Sequence, residues 1–479
     1  MDKRYSQIKV NYLGLLIVLI FYGGHLKAEK HQLLRLLNPN ESKIEIILRA
    51  GISLDHSFYS EKLGYLEFVA TVKESKILYT ENLNIKIIIK DLTQHYKSIS
   101  IPYQERTFPL GSMQGNYTYS EMIDRYENLR LQYPSILSSR IVIGSSYEGN
   151  DIWAFKLSDN PSIDEQEPKV LYTSLTHARE PLGMMNLFYF VQKMCETYLQ
   201  DAESNFIIDN RELWFIPVVN PDGYLYNEFI EPSGGGMHRK NRRDTGCDNG
   251  TSRGVDLNRN FSYGWGTNNV GSSPDPCSET YRGSNPFSEP ETQTIKDFIN
   301  SKSFSSVLHY HSYGNFLLHP FGDASVPVEP DLTTFLTIGE KMTNYNDYLL
   351  GTGNQTVGYT VNGDAVDWTY GEKGLIAYTP EVGNSFWPSE NQVETICEDQ
   401  YFPNKVFASM AGSELANAQN IIGDFYPDGL INIFDIIQIS EFIQSETVLN
   451  SYHLNFCDMD NNGLINIFDL VLLINKVLY

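Results

Sequence analysis

The chain has 479 residues, of which 41% are apolar and 13% aromatic; this composition can build packed cores and excludes wholesale disorder. At about 150 residues per domain, the length predicts roughly three folding units. Acidic residues outnumber basic residues 59 to 36, and the net charge of -23 would repel nucleic-acid phosphates, so we expect no nucleic-acid partner. Five cysteines are too few for a disulfide-built scaffold.

The N-terminal segment has the pattern of a secretory signal peptide. Lys3, Arg4 and Lys9 precede a short apolar run, and Ala28 provides a small residue for cleavage. The alternative is a membrane anchor, but a run of about 13 residues is shorter than the roughly 20 that span a bilayer. We therefore predict a signal peptide at 1–28, a secreted or cell-surface protein, and no membrane span after cleavage.

Residues 29–95 alternate short apolar runs with polar turns, which predicts a small α+β unit. Strands are predicted at 44–48, 65–72 and 83–89, with a short helix around Leu78. Residues 96–116 are rich in Ser, Pro and Gly, which indicates a linker.

Residues 117–412 alternate predicted strands and helices, which indicates an α/β domain with one substantial core. An apolar helix is predicted at 182–199. The predicted strands are at 170–175, 213–219, 306–311 and 375–379. The sequence Asn220-Pro221-Asp222-Gly223 predicts a turn after the second of them.

The C-terminal tail contains an internal repeat. The heptapeptide Gly-Leu-Ile-Asn-Ile-Phe-Asp occurs at 429–435 and again at 463–469. We therefore predict a separate module at 421–479, joined through a linker at 413–420.

His177 and Glu180 lie three residues apart, where a predicted strand ends and a helix begins. Sites form at strand ends in α/β sheets, and this pair could bind one ion across a turn. A catalytic zinc needs a third protein ligand; His309 and His311 point to the same face of a predicted strand, and either could reach the ion. From the residues alone, His177 and Glu180 could instead form a surface pair. One or both of His309 and His311 could be core or edge histidines whose hydrogen bonds are satisfied within the fold.

Seven short motifs follow one another within 117–412. They are Thr176-His177-Ala178-Arg179-Glu180, Asn220-Pro221-Asp222-Gly223, Gly254-Val255-Asp256-Leu257-Asn258-Arg259-Asn260, Cys277-Ser278-Glu279-Thr280-Tyr281, His311-Ser312-Tyr313, Asp367-Trp368-Thr369-Tyr370 and Tyr378-Thr379-Pro380-Glu381. Together they resemble the zinc metallocarboxypeptidases of the funnelin family, most closely the bacterial carboxypeptidase T-like enzymes. The resemblance implies an α/β fold with a mixed, mostly eight-stranded sheet flanked by helices.

The resemblance assigns zinc ligation, with one ion per catalytic domain, to His177, Glu180 and His311. It selects His311 over His309 because Ser312 and Tyr313 follow, and these two residues are also expected to contact substrate. Asp256 would accept the other ring proton of His177 and thereby fix its tautomer.

Two further matches concern the chemical step. Glu381 would be the general base that takes a proton from the attacking water. Arg239 would stabilise the oxyanion on the scissile carbonyl. The alternative for Arg239, and the expectation for the rest of 238–243, is a solvated basic run.

An exopeptidase must recognise a free carboxylate, which a guanidinium binds well. The resemblance assigns this role to Asn258 and Arg259, with Arg179 as an accessory arginine. Tyr359 matches the family's capping tyrosine; the alternative is an ordinary buried aromatic residue.

Two residues are matched to the side-chain pocket. Val366 argues for apolar C-terminal residues, whereas Asp364 resembles an acidic group of the carboxypeptidase T branch that could admit Lys or Arg. We therefore expect an apolar or mixed preference.

The resemblance also implies a disulfide between Cys247 and Cys277, which would pin the carboxylate-binding loop. Cys195 lies within an apolar helix and is expected to be a buried thiol; Cys397 and Cys457 are left over. Residues 29–95 resemble the family's activation segment, which implies a proenzyme. The alternative is a plain accessory domain.

The two tail repeats carry the spacing of calcium loops, with oxygen ligands and a glycine at position 6. The expected calcium ligands are Asp424, Asp428, Asn432 and Asp435 in the first loop, which Tyr426 at position 3 weakens, and Asp458, Asp460, Asn462, Asn466 and Asp469 in the second. The repeats resemble a type I dockerin, which implies calcium and a cohesin-like or cell-surface partner. The alternative is a calcium-stabilised stalk.

These observations predict a secreted, zinc-dependent metallocarboxypeptidase that acts on peptides or proteins with a free C-terminus. One alternative is a related cell-wall hydrolase of γ-D-glutamyl peptides, against which Asn258 and Arg259 argue. Another is an inactive peptide-binding module displayed through the tail, against which Glu381 argues because a binder needs no general base.

Overall fold

The computed structural model describes residues 30–54, 57–60, 64–81, 83–98, 108–247, 252–412, 423, 431, 433–444, 458–460, 462 and 464–478. The predicted signal peptide and most of the first calcium loop lie outside these residues. Among the helices of the described part, none combines the length and the apolar character that a membrane span requires.

The N-terminal unit is a four-stranded sheet with strand order β2-β3-β1-β4, in which every pairing is antiparallel. Three helices accompany it, so the predicted α+β character is correct. The elements are β1 (His31–Leu37), α1 (Glu41–Arg49), β2 (Phe58–Ser60), β3 (Tyr65–Thr71), α2 (Val72–Thr80), β4 (Ile85–Ile89) and α3 (Leu92–Ser98).

The strand predicted at 44–48 is wrong, because these residues belong to α1. Asn40 caps this helix by accepting a hydrogen bond from the Lys43 N–H at 3.0 Å. Glu45 and Arg49 then pair one turn apart on its surface. The cap and the i,i+4 pair favour a helix over the strand that the run of isoleucines suggests.

The predicted linker at 96–116 is also shorter than expected. Helix α3 continues through Ser98, and Tyr96 within it is buried. Phe108 and Met113 pack into the core of the large domain. These apolar residues are anchored to folded units although Ser, Pro and Gly surround them.

The large domain contains an eight-stranded mixed sheet with strand order β11-β10-β12-β9-β7-β8-β6-β5. Its four central strands, β12, β9, β7 and β8, are parallel to their neighbours within this group. The strands are β5 (Ile141–Ser145), β6 (Asp151–Leu157), β7 (Lys169–Thr173), β8 (Glu212–Ile216), β9 (Phe304–His309), β10 (Phe316–Leu318), β11 (Leu349–Gly351) and β12 (Ile376–Glu381).

Helices cover both faces of this sheet. Along β7, Val170 and Tyr172 belong to one buried apolar cluster and Leu171 to the other, because side chains alternate along a strand. The helices are α4 (Tyr119–Gln132), α5 (Leu182–Thr197), α6 (Ala202–Asn210), α7 (Pro221–Ile230), α8 (Pro290–Ser301), α9 (Asp331–Thr343), α10 (Gly353–Thr356), α11 (Ala365–Gly371), α12 (Glu390–Glu398) and α13 (Tyr401–Ser409). The predicted sheet and its class are therefore confirmed.

The motif at 220–223 begins a helix rather than forming a separate turn. The Asn220 side chain accepts a hydrogen bond from the Gly223 N–H at 3.0 Å, and Pro221 occupies the first position of α7. Both residues are typical of a helix start.

Two helices form the described part of the tail, α14 (Ile433–Gln444) and α15 (Ile467–Leu478). They pack together through Ile439, Ile465 and Leu473. Each helix begins within one copy of the repeated heptapeptide.

Candidate metal centre and substrate cavity

Three buried side chains converge beyond the carboxyl ends of β7 and β9. His177 Nδ1 lies 2.9 Å from Glu180 Oε1, His311 Nδ1 lies 2.9 Å from Glu180 Oε2, and the two Nδ1 atoms are 3.0 Å apart. Ligand atoms at about 2 Å from one zinc ion stand roughly 3 Å from each other. The donor set of two imidazoles and one carboxylate therefore fits a catalytic zinc, and the alternative of a surface His–Glu pair is wrong.

A turn between β7 and α5 places the first two of these residues. The Glu180 N–H donates to the His177 carbonyl at 3.2 Å, which closes the turn just before Pro181. The Ala178 N–H donates to the Arg239 carbonyl at 3.0 Å, so the turn is fixed to the segment that carries Arg239.

His311 lies two residues beyond the end of β9, so the predicted strand at 306–311 is too long. His311 pairs with Glu381 in an isolated parallel bridge. His309 instead lies between Thr173 Oγ1, at 2.9 Å, and Thr369 Oγ1, at 3.0 Å. The fold thus brings His311 to the cluster and satisfies His309 within the core.

Asp256 contacts His177 at the ring nitrogen that faces away from the cluster. Its Oδ1 lies 3.1 Å from His177 Nε2, and its Oδ2 accepts a hydrogen bond from Arg239 Nη2 at 2.8 Å. Burial alone would raise the pKa of Asp256, but the Arg239 guanidinium, and then the interaction and hydrogen bond with His177, hold that pKa well below its usual range. The ionised carboxylate therefore accepts the Nε2 proton of His177, and Nδ1 remains bare towards the cluster.

The loop carrying Asp256 depends on one glycine. Gly254 has a φ of +107°, and a Cβ there would lie 1.9 Å from the Asn241 carbonyl oxygen. Only glycine allows this close approach. The contact holds Asp256 against the segment that contains Arg239.

The expectation of a solvated basic run at 238–243 is wrong, because residues 238–242 are buried. Lys240 Nζ donates to the carbonyls of Ser252 and Ser278 at 2.6 and 2.7 Å, and burial lowers the pKa of Lys240 to about 8. Arg242 stacks over the Tyr226 ring at 3.7 Å. Because each of these cations has a specific partner, the basic segment can be buried without leaving a charge uncompensated.

A cavity opens beside the cluster, and we call it the specificity cavity. Its polar lining includes Glu381, which is buried next to His311. Its lining residues are Asn258, Arg259, Leu318, His319, Gly322, Gly353, Tyr359, Val361, Asp364, Val366, Asp367, Thr379 and Glu381. The structure thus gathers six residues that the sequence assigned separately to substrate or catalysis.

Backbone carbonyls fix the arginine of this cavity. Arg259 is buried; its Nε donates to Gly271 and its Nη1 to Asn258, both at 2.8 Å. The Asn258 side-chain oxygen accepts from the Ala365 N–H at 2.9 Å, which ties it to the start of α11. The cation is therefore held in one orientation before any ligand arrives.

Two buried carboxyl groups lie at the wall of the cavity. Asp364 caps α11 by accepting from the Asp367 N–H at 3.0 Å, and the Gly322 N–H donates to both oxygens of Asp367. Burial and then the neighbouring Asp364 raise the pKa of Asp367 well above its usual range. Sequence reasoning missed Asp367 and His319 as lining residues, although Asp367 stands within a quoted motif.

Two of the remaining predicted substrate residues, Arg179 and Tyr313, contact Phe386. Arg179 stacks over the Phe386 ring at 4.5 Å and donates from Nη1 to Glu279 Oε2 at 3.4 Å. The Tyr313 ring packs edge-on against Phe386 at 4.9 Å. The Ser312 N–H donates to Glu180 Oε2 at 3.2 Å, which links this region to the cluster.

Cys247 and Cys277 form a disulfide, as the resemblance implies, and close the segment that carries Asn258 and Arg259. Cys195 and Cys397 are buried thiols, and Cys457 lies outside the described residues.

In the tail, carboxylate oxygens of Asp458, Asp460 and Asp469 lie within 4.8 Å of one another. Asp469 is buried and accepts from the Met459 and Asn466 N–H groups at 2.7 and 2.8 Å. Asn462 lies beside them, with its N–H donating to Asp458. Asp435 is also buried, whereas Asp424, Asp428 and Asn432 lie outside the described residues.

The mixed sheet and the buried His–Glu–His cluster, which could hold a metal ion, are features expected of a metal-dependent hydrolase. The sequence model of the zinc carboxypeptidase family matches residues 122–402, and the chain belongs to this family of peptide hydrolases. The model of the type I dockerin domain matches residues 422–478. Both predicted family resemblances are therefore confirmed.

Individual relatives agree with this assignment. A zinc carboxypeptidase of Saccharothrix mutabilis subsp. capreolus is 32% identical over 308 residues, covering 60% of this chain and 67% of the relative. Carboxypeptidase A1 of Bos taurus is 28% identical over 396 residues, covering 77% and 90%. The crystal structure of carboxypeptidase A from Helicoverpa armigera superposes with a TM-score of 0.66 at 23% identity, covering 82% of this chain and 99% of that chain, and so supports the fold.

Proposed function

We propose that the protein is a secreted zinc carboxypeptidase that removes C-terminal residues from peptides and is made as a proenzyme. One arrangement carries the proposal: the buried His177–Glu180–His311 cluster stands beside a cavity that contains Arg259. Metal ligands and a carboxylate-binding cation at adjacent positions suit an exopeptidase.

His177, Glu180 and His311 would hold the zinc ion, and Asp256 would keep His177 in the ligating tautomer. When bound, zinc would act as a Lewis acid on the scissile carbonyl and lower the pKa of water. Glu381 would accept the proton of the attacking water and then deliver it to the leaving amine. Arg239, whose Nη1 lies 4.0 Å from Glu180 Oε1, would stabilise the developing oxyanion.

Asn258 and Arg259 would bind the terminal carboxylate, and Tyr359 would close over it. The C-terminal side chain would occupy the specificity cavity, where Val366 favours apolar groups. Asp364 adds one acidic group to the same wall, so we propose a mixed preference that includes Lys and Arg.

The N-terminal unit would act as an activation segment that covers the cleft. Tyr359 shares an apolar cluster with Leu34 and Leu36 of this unit. Tyr96 on α3 is buried near Tyr313. Burial is the main reason why the pKa of Tyr96 is raised, and the proximity of Tyr313 raises it further. Thr93 Oγ1 donates to the Gly235 carbonyl at 3.0 Å, so α3 is anchored on the catalytic domain. Removal of this unit would open the substrate approach.

The tail would bind calcium and attach the enzyme to a cohesin-like partner. The second loop supplies three clustered carboxylates, which suit calcium. Apolar side chains at the starts of α14 and α15 are exposed in both repeats, with Ile433 at 54%, Ile467 at 53% and Phe468 at 66%. Exposed apolar groups of this kind mark interaction surfaces.

The decisive experiment compares three blocked peptides after limited proteolysis of the intact protein: one with a free C-terminal Phe, its C-terminal amide, and a γ-D-glutamyl peptide. We expect zinc-dependent release of Phe from the first. Arg259→Ala should raise KM for this peptide at least about tenfold, because hydrogen bonds to charged groups contribute about 1.5–3 kcal/mol, and should change hydrolysis of the amide little. Arg253→Ala, which changes an arginine outside the cavity lining, is the control. Equal losses on acid and amide, or a preference for the γ-D-glutamyl peptide, would contradict the proposal.

A further inference from the structure

His319 follows β10 directly and is a lining residue of two separate spaces. On one side it lines the specificity cavity together with Val366 and Asp364. On the other side it lines a second depression between β11 and α9, which we call the outer pocket. The outer pocket is lined by His319, Val326, Leu332, Leu336, Glu340, Thr343, Tyr348, Leu349, Leu350, Gly351 and Gln355.

The outer pocket is mostly apolar and reaches the surface. Leu349 is 52% exposed, Val326 41% and Leu336 37%, whereas His319 itself is only 3% exposed. Because His319 lines both spaces and is itself shielded from solvent, we infer that its side chain lies between them. The space beyond the ring can therefore accept apolar atoms without unfolding the wall.

Three contacts fix the position of His319. Its Nδ1 donates to the Pro320 carbonyl at 2.7 Å, and its N–H donates to the Gly351 carbonyl at 3.1 Å. Its ring lies 5.9 Å from the Phe335 ring, centroid to centroid. These contacts come from its own turn, from β11 and from α9, so the ring is held as a rigid part of the wall.

We propose that the His319 ring is the partition that limits the volume of the specificity cavity and thereby sets the largest C-terminal side chain that the enzyme accepts. The inference rests on the proposed function, in which this cavity receives the C-terminal side chain. Shortening residue 319 joins the cavity to the outer pocket, and the joined space accommodates a second aromatic ring. A flat ring of similar size at this position preserves the limit.

The test uses the zinc-loaded protein, produced at full length and then activated by limited proteolysis. The substrates are two blocked peptides that end in Phe or in 4-phenylphenylalanine, and the quantity measured is the ratio of their kcat/KM values. His319→Ala should raise the ratio of 4-phenylphenylalanine to Phe at least about tenfold, since filling a pocket by even one methylene is worth about 10–200-fold. The gain should lie in KM. His319→Phe and the control Leu332→Ala, which alters the outer pocket alone, should leave the ratio within about twofold of the unchanged enzyme.

The outcomes separate this inference from the proposed function. Failure of the unchanged protein to release Phe contradicts the proposed function. Release of Phe with an unaltered ratio in His319→Ala overturns the partition alone. The unchanged protein gives a further measurement that needs no variant: hydrolysis of the 4-phenylphenylalanine peptide as fast as the Phe peptide also overturns the partition, even where His319→Ala does not fold.

Discussion

His311 and Glu381 form an isolated parallel β-bridge, so a proposed zinc ligand and the proposed general base stand side by side on adjacent chain segments. Two backbone hydrogen bonds hold this pairing: the His311 N–H donates to the Pro380 carbonyl at 2.9 Å, and the Val382 N–H to the His311 carbonyl at 3.0 Å. Because the backbone fixes both residues, a substitution of the Glu381 side chain leaves the ligand geometry in place.

Glu381→Gln should therefore keep zinc and lose turnover. The amide fills the same volume but cannot accept the proton of the attacking water, and loss of a general base costs at least about 10²-fold in kcat. Zinc content measured by mass spectrometry and kcat on the blocked Phe peptide check both parts. Near-normal turnover by this variant would remove Glu381 from the mechanism.

Tyr96→Ala should make the intact protein more active before proteolysis. The Tyr96 ring, on α3 of the N-terminal unit, is buried near Tyr313 and Arg179, two residues proposed to contact substrate. Its removal leaves a gap through which a peptide can reach the cluster, and it also removes apolar contact area that holds the two units together. The measurement is the ratio of activity before and after limited proteolysis.

Tyr79→Ala is the matched control for this experiment, because Tyr79 belongs to the same unit but is 45% exposed. It should leave the ratio unchanged. An equal effect of both substitutions would mean that general loosening of the unit, and not the position of Tyr96, governs access.

Glu291 should make the stability of the catalytic domain fall as pH rises. Burial raises the pKa of Glu291 to about 7, compared with about 4.3 in an unfolded chain. Between these values the folded state binds more protons than the unfolded state, so the free energy of unfolding decreases with increasing pH. The decrease attributable to this residue is up to about 4 kcal/mol.

Glu291→Gln removes this titration and should flatten the profile. Denaturant unfolding of both proteins at pH 5 and pH 8 measures the difference, with Glu45→Gln, at an exposed position of α1, as the control. If the two proteins lose stability in parallel between these pH values, Glu291 does not titrate in this range.

The metal cluster could be predicted in part from the sequence because two of its residues are local. His177 and Glu180 lie three residues apart at a strand end, a spacing that allows a metal site but also a surface His–Glu pair. The choice between His309 and His311 needed the family resemblance, since alternation puts both on one face. The structure resolves the choice physically: β9 ends at His309, whose ring is held by two threonines.

One feature that sequence reasoning missed depends on a local cap, and the others depend on tertiary packing. The strand predicted at 44–48 is a helix because Asn40 caps it, and apolar periodicity does not report a cap. His319 and Asp367 belong to the cavity wall only because the segment after β10 meets α11 through the Gly322–Asp367 hydrogen bonds, far apart in sequence. Tyr96 stands at the edge of a polar segment, so composition assigned it to a linker although its ring is buried.

The last prediction concerns the tail, where calcium should stabilise residues 421–479. In the second loop the carboxylates of Asp458, Asp460 and Asp469 converge, and like charges at this spacing repel one another. A cation bound between them removes this repulsion, and binding to the folded form alone adds stability by mass action. The helices α14 and α15 share a core of few residues, among them Ile439, Ile465 and Leu473, so we expect the module to be only marginally stable without the ion.

The melting temperature of an isolated 421–479 fragment, followed by circular dichroism, should rise with millimolar calcium. It should rise much less with magnesium, which requires a tighter octahedral site. Asp460→Ala should weaken the response, and Lys476→Ala, outside the loop, should not. A melting temperature indifferent to calcium would make the calcium-loop prediction wrong and favour a plain helical stalk.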